Sequence, residues 1–400
     1  MAPTVLTNAR IVLSNDEIRG SVVIDGDRIV DVSPRHYAAG FDLRGSILSP
    51  GVIDIHTDYL ERELAPRPSA RFPLDMALHV MDLRAMGCGL TTIVSAARIS
   101  AEKDGPVGSW RGDGLALARN VEALLPQLRA NHLIHLRWSP QCEAPEEILV
   151  ELLKLKNIGN LVFNDDMPGQ RQFRDVEGLI QQYALRNNVS IEQSRAHMQE
   201  RIERAGAVNN RLQVRDFLKG QIPLGSHDDT TVEHVVEAYE ADASLCEMPC
   251  SIEAARKARE LGMMICMGAP NYYRGGSHCG NLSCHDALDE GLVDILCSDY
   301  HFPSLLACAL RMAENGMPLW SAMNLLTLNP ARHLRIDEEV GNIELGKRAD
   351  LIAFRPRNGY AEVSHVWVRG REMLHVGDTG TSASASSMVG SRVEDLTAAN

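Results

Sequence analysis

Ser49-Pro-Gly-Val-Ile-Asp-Ile-His-Thr-Asp58 combines a turn, a short β-rich run and two polar residues in alternation. Pro50 and Gly51 punctuate the chain, Val52 to Ile55 is predicted as a buried strand, and His56 and Asp58 project to the same side beyond it. Seven further runs of this kind follow, at Thr91 to Ser95, Leu133 to Arg137, Leu161 to Asn164, Ile222 to Gly225, Leu245 to Met248, Met263 to Met267 and Asp294 to Cys297. Helical patterns intervene, among them Leu74 to Met86, Leu115 to Leu128, Glu146 to Leu155, Ser251 to Leu261 and Leu305 to Glu314. Eight strands alternating with helices predict the α/β class, with a (β/α)8 TIM barrel over residues 50–336 whose strand ends converge on one face.

The flanks read differently. Thr4 to Leu13, Ser21 to Ile24 and Arg28 to Val32 are strand-like, with Asp25-Gly26-Asp27 as a turn, and so are Leu351 to Phe354 and Val363 to Val368. Such hairpins cannot bury a core alone, so residues 1–49 and 337–378 are expected to combine as a small composite β-sandwich. Between the fourth and fifth strands the regular spacing is interrupted by a helical insertion near 170–219, a common way to build a lid. From Arg171 to Lys219 it carries nine basic and six acidic residues, within a chain whose formal net charge is −13. The tail, 379–400, begins rich in Ser, Thr, Gly and Ala and is expected to lack fixed structure.

An acidic balance of 53 Asp and Glu against 40 Lys and Arg argues against nucleic acid and anionic membranes as partners. No apolar run reaches the roughly 18 residues of a membrane span, and Met1 to Arg10 lacks a signal-peptide pattern. Nine cysteines without a CxxC pair do not make a disulfide framework. A cytoplasmic enzyme is expected, a homodimer by default for soluble enzymes. Cys246 and Cys250, the nearest pair, read as ligands or as small buried apolar side chains.

The polar residues beyond the strands carry the chemistry. His56 and Asp58 follow the first strand, Asn164-Asp165-Asp166 the fourth, Ser226-His227-Asp228-Asp229 the fifth, Glu247 the sixth and Ser298-Asp299-Tyr300 the eighth. Imidazoles and carboxylates gathered from distant segments suit zinc or manganese, with zinc the expected ion in one or two sites. The candidate ligands are His56, Asp58, Asp165, His227, Glu247 and Asp299. His135 and His278 read equally as core histidines, Asp228 and Asp229 as caps of a helix near Thr230, and Asp54 as a structural residue on its strand. After the seventh strand, Arg274-Gly275-Gly276-Ser277-His278 could form an anion-holding nest of backbone amides or a plain turn. Arg67 and Arg171 place further guanidinium groups on loops of the same face, which predicts a small polyanionic substrate.

Pro50-Gly-Val-Ile-Asp-Ile-His56, Ser298-Asp299, Asn329-Pro330-Ala331 and Gly341-x-Ile-x-x-Gly-Lys-x-Ala-Asp350 together resemble the amidohydrolase superfamily across nearly the whole chain. The resemblance implies the barrel, the terminal β unit and a metal-activated water whose proton Asp299 accepts. A narrower likeness is to the diphosphatases of the carbon-phosphorus lyase pathway, which release pyrophosphate from α-D-ribose 1-methylphosphonate 5-triphosphate. It rests on His56-Thr-Asp-x-Leu-Glu61, Pro66-Arg-Pro68, Pro168-Gly-Gln-Arg-Gln-Phe173, Ser226-His-Asp-Asp229, Met267-Gly-Ala-Pro-Asn271, Arg274-Gly-Gly-Ser-His278 and Ser298-Asp-Tyr300. The superfamily at large has HxH after strand one, a carboxylated lysine at strand four and a histidine at strand six, where this chain has Asp58, Asp165 and Glu247. Against the diphosphatases, Glu63 and Asp166 each replace a histidine, and Pro303 comes one place late. The alternatives are an amidase or deaminase acting on a cyclic amide or nucleobase, and a scaffold that has lost its metal.

Overall fold

A computed structural model describes residues 2–67, 70–100, 114–142, 145–165, 167–171, 175–205, 208–277 and 279–377. Asp166, His278 and the 379–400 tail, all named above, lie outside the described residues.

Five strands precede the barrel: β1 (Thr4–Val12), β2 (Glu17–Asp25), β3 (Arg28–Ser33), β4 (Phe41–Asp42) and β5 (Ile47–Pro50). The barrel strands are β6 (Val52–Thr57), β7 (Leu90–Ile99), β8 (Asn131–Trp138), β9 (Ile158–Phe163), β10 (Leu224–His227), β11 (Ala243–Glu247), β12 (Met264–Gly268) and β13 (Ile295–Cys297). Each overlaps one of the eight expected runs. Their parallel order is sequential, β6 through β13, as right-handed βα crossovers require. Closure falls on Asp299, whose amide donates to the His56 carbonyl at 3.1 Å while its own carbonyl accepts from the Asp58 amide at 2.6 Å. Ile53, Ile55, Val94, Leu245, Cys266 and Ile295 form one buried cluster. Several come from strands that are not neighbours, so they can meet only inside the barrel.

The chain ends complete a second sheet with β14 (Leu351–Arg357), β15 (Tyr360–Val368) and β16 (Arg371–His375). Its order is β16-β15-β14-β5-β1-β2-β3, with β4 paired to β1. The antiparallel pairing of β5 with β14 joins the two termini, and Leu6, Ile11, Val22, Ile24, Leu351 and Trp367 contribute to its own core. The insertion forms three helices, Val176–Asn187, Ile191–Ala205 and Arg211–Leu218.

Asp82, fully buried on the helix Leu74–Gly87, anchors the entry to β8. Its carboxylate accepts from the Ala130 amide at 2.9 Å and the Arg129 amide at 3.2 Å, and lies 3.1 Å from His132 Nε2. Burial pushes its pKa up, but His132 and these amides outweigh that and leave it below the usual carboxylate value. A depressed carboxyl stabilises the fold above its unfolded pKa and loses that contribution as pH falls through the folded value. Asp82→Asn is therefore expected to cost about 2–3 kcal/mol at neutral pH. Its urea midpoint should fall, and the deficit relative to the parent should shrink in acid.

Candidate metal centre

The expected ligands arrive from strand ends, and the backbone there is unusual. Asp228, Met248 and Asp299, just beyond β10, β11 and β13, have positive φ values of 60°, 51° and 56°. Non-glycine residues in this left-handed region are uncommon and costly, and such strain gathers where the fold must aim functional groups.

Glu247 occupies the centre. Its Oε2 lies 3.0 Å from His56 Nδ1, 3.4 Å from His135 Nε2 and 3.7 Å from His227 Nε2. His56, His135 and Glu247 bring one ligand atom each within 4.8 Å of one another, and so do His56, Asp58 and Asp299. The two triads share His56. His135 Nδ1 lies 3.1 Å from the Ile55 carbonyl, which must accept, so Nε2 carries the lone pair that faces the cluster. Asp54, fully buried on β6, accepts from the Ser298 amide at 2.9 Å and from the Ser298 hydroxyl, which sets the residue preceding Asp299. Burial raises the Asp54 carboxyl to about 7.

Electrostatics follow from this crowding. Burial alone would lower the His56 pKa, but the Glu247 and Asp58 carboxylates outweigh it and raise it well above the ordinary value. His135, buried beside these groups, is lowered to about 3 and is neutral. Burial likewise raises the Asp299 carboxyl, against the lowering effect of His56. Burial opposes charge on Glu247, yet His56 holds its carboxyl well below the usual range.

A divalent cation fits these residues. Both ring nitrogens of His56 and His227, Nε2 of His135 and both oxygens of Glu247 are buried without a hydrogen-bond partner. Buried polar groups are ordinarily satisfied, and orphans concentrated at one point mark a place for an ion. Nitrogen and carboxylate donors together match zinc or manganese.

Other expectations are corrected. Asp165 does not join the cluster: its carboxylate is held by Arg211 at 2.9 Å, with Gln141 and Gln170 each at 3.3 Å. The pairing ties the insertion to the end of β9. Arg171 is buried and pairs with Asp229 while donating to the His227 carbonyl at 3.1 Å, so it braces the ligand loop and does not face substrate. The amides of Gly275 and Gly276 donate to the carbonyls of Tyr272 and Asn271 at 3.1 and 2.9 Å. They terminate the helix Ala269–Arg274, so these two amides are not turned to an anion. Ser277 Oγ accepts from the Cys279 amide at 3.2 Å. Arg67 is exposed, with its carbonyl bonded to the Ala70 amide at 3.0 Å. Glu63, at a position where the diphosphatases have histidine, pairs with Arg84 at 3.0 Å, and Pro303 caps the helix Ser304–Glu314.

Three arginines do gather near the cluster. Arg137 Nη1 lies 3.5 Å from Asp58 Oδ2, Arg62 donates to the Tyr300 carbonyl at 2.8 Å, and Arg274 lies 3.5 Å from the Tyr300 hydroxyl. The sequence leaves His135 open between ligand and core histidine and does not single out Arg137. Their spacing of two on a strand, the pattern read at His56 and Asp58, was the available signal.

A parallel barrel with unpartnered imidazoles and carboxylates massed at its strand ends is the architecture of a metal-dependent hydrolase. Residues 189–373 match the amidohydrolase family. The α-D-ribose 1-methylphosphonate 5-triphosphate diphosphatase of Escherichia coli strain K12 is 32% identical over 391 residues, covering 92% of this chain and all of that protein. A dihydroorotase of Wolbachia sp. subsp. Drosophila simulans is 22% identical over 415 residues, covering 90% of this chain and 86% of its own length. Among solved structures, a Xaa-Pro dipeptidase with methionine in its active site superposes with a TM-score of 0.64 at 15% identity, over 93% of this chain and 99% of that one. The chain belongs to the amidohydrolase family and is a hydrolytic enzyme.

Proposed function

We propose that the enzyme cleaves a phosphoanhydride in the 5-triphosphate of a ribose phosphonate and releases pyrophosphate. The observation that carries this reading is the grouping of Arg62, Arg137 and Arg274 around Asp58 and Tyr300, beside the imidazole and carboxylate cluster. A cyclic amide such as dihydroorotate offers three guanidinium groups a single carboxylate to neutralise, whereas a triphosphate carries several charges. The full-length likeness to the Escherichia coli diphosphatase points the same way.

His56, His135, His227 and Glu247, with Asp58 and Asp299, would hold one or two divalent ions, and three imidazoles beside three carboxylates support zinc. A metal held there would supply Lewis acidity and lower the pKa of the attacking water towards about 7. Asp299, turned into the site by its left-handed backbone and raised by burial, accepts the proton of the attacking water. The arginines offset charge on the phosphates, and Asp165 with Arg211 holds the insertion against the barrel mouth. Nine free thiols suit a reducing cytoplasm. The exposed apolar residues Phe72, Met76, Val80 and Leu83 offer a face for a homodimer.

Zinc-loaded enzyme incubated with the ribose 5-triphosphate phosphonate should release pyrophosphate faster than with ATP. Hydrolysis of dihydroorotate in place of the triphosphate would favour the cyclic-amide reading. Arg274→Ala is expected to raise KM for the triphosphate about tenfold while changing kcat little, the signature of lost uniform binding.

A further inference from the structure

We propose that the hairpin formed by β15 and β16 carries a second transition-metal site, built from His365, Glu372 and His375 and separate from the barrel centre. The three residues present ligand atoms within 4.8 Å of one another. None belongs to the catalytic strands, and β16 is the edge of the terminal sheet.

Register brings them together. His365 lies directly opposite His375, and Trp367 opposite Glu372, with Met373 left as the extra residue between the two pairs. Strict alternation would place Glu372 and His375 on opposite faces of the strand. The bulge at Met373 cancels one step, so both side chains share the face of His365.

The decisive residue is His365. The residue is buried, 8% exposed, with its ring in edge contact with Phe41 at 5.0 Å and stacked with Trp367 at 5.4 Å and His375 at 4.4 Å. The Ser364 hydroxyl donates its single proton to the Ala353 carbonyl at 3.1 Å. It must therefore accept from His365 Nδ1, 3.0 Å away. That assigns the proton to Nδ1 and leaves the lone pair on Nε2, which is buried and has no hydrogen-bond partner. A histidine oriented through one nitrogen with the other bare is the arrangement that metal ligands adopt. Burial and the neighbouring His375 also lower the His365 pKa, which keeps the imidazole neutral.

His375 and Glu372 are exposed, and their nearest atoms lie 3.7 Å apart. An ordinary surface ion pair would account for those two but not for the bare nitrogen of His365. Two imidazoles and a carboxylate select a zinc-class ion over magnesium or calcium, with bonds of about 2.0–2.2 Å. The two exposed side chains would rotate to bring their donors to that distance, and water would complete the tetrahedron. Such a clip would pin the edge strand, where unpaired backbone groups otherwise invite association.

The test counts metal in the full chain. Apo protein is reconstituted with excess zinc, gel-filtered and analysed for zinc per protomer, and cobalt(II) spectra are recorded in parallel. The parent should hold one equivalent more than His375→Ala, and the cobalt absorption of that extra equivalent should vanish in the variant, with hydrolytic activity unchanged. Glu372→Gln, a second exposed substitution, should bind the extra equivalent at least tenfold more weakly, and it decides the matter if His375→Ala does not fold. Equal zinc content in the parent and a folded variant, or an extra equivalent that survives both substitutions, would overturn the assignment.

Discussion

Asp299→Asn is expected to fold as the parent does and to lose turnover on the order of 10,000-fold, the upper range for removing a general base. The amide is isosteric with the carboxylate, and the backbone bonds from Asp299 to His56 and Asp58 that close the barrel do not involve its side chain. Retained asparagine geometry therefore separates chemistry from architecture. Burial already raises the Asp299 carboxyl towards a proton-accepting range, and asparagine cannot accept a proton at any accessible pH. Rates measured under saturating substrate and zinc, beside an unchanged thermal transition, check the claim. A variant that turns over like the parent would remove Asp299 from the reaction.

Stripping the metal is expected to abolish activity and to lower the melting temperature by roughly 5 °C, because an ion at about a thousandfold its Kd adds about 4 kcal/mol to the folded state of this 400-residue chain. Metal should also flatten the pH dependence. Without metal, Glu247 and Asp58 raise the His56 pKa well above its usual value despite burial. A histidine raised on folding stabilises most below its unfolded pKa, near 6.5, and that contribution is lost as pH climbs through the folded value. Metal-free protein should thus weaken as pH rises above about 6.5. The loaded protein should hold steady over the same interval, because the ion displaces the His56 proton and its roughly tenfold tighter binding per pH unit offsets that loss. Melting curves of both forms between pH 6 and 9 test this. Parallel curves would show that His56 releases no proton to the ion.

Much of this architecture was open to inspection before any coordinates. Val52 to Ile55, Thr91 to Ser95 and their six successors announce strands because β-branched and apolar runs bounded by turns suit a doubly covered parallel sheet. With the barrel in hand, polar residues beyond each strand must share one mouth. His56, Asp58, His227, Glu247 and Asp299 all meet that condition. It could not separate Asp165 from them, since Asp165 also follows a strand and its partner Arg211 comes 46 residues later, on an inserted helix.

Strand order and the identity of the residues at each strand end are local properties of the chain, written in periodicity and punctuation, and they were enough to establish the barrel and its metal-binding class. Partnership is not local. That Arg171 turns inward to Asp229, that the Gly275 and Gly276 amides end a helix, and that His135 joins Glu247 depend on which distant groups compete for each donor and acceptor. Hydrogen bonding and burial settle that competition only once the chain has closed on itself, since each group's partner is whatever packing leaves within about 3 Å.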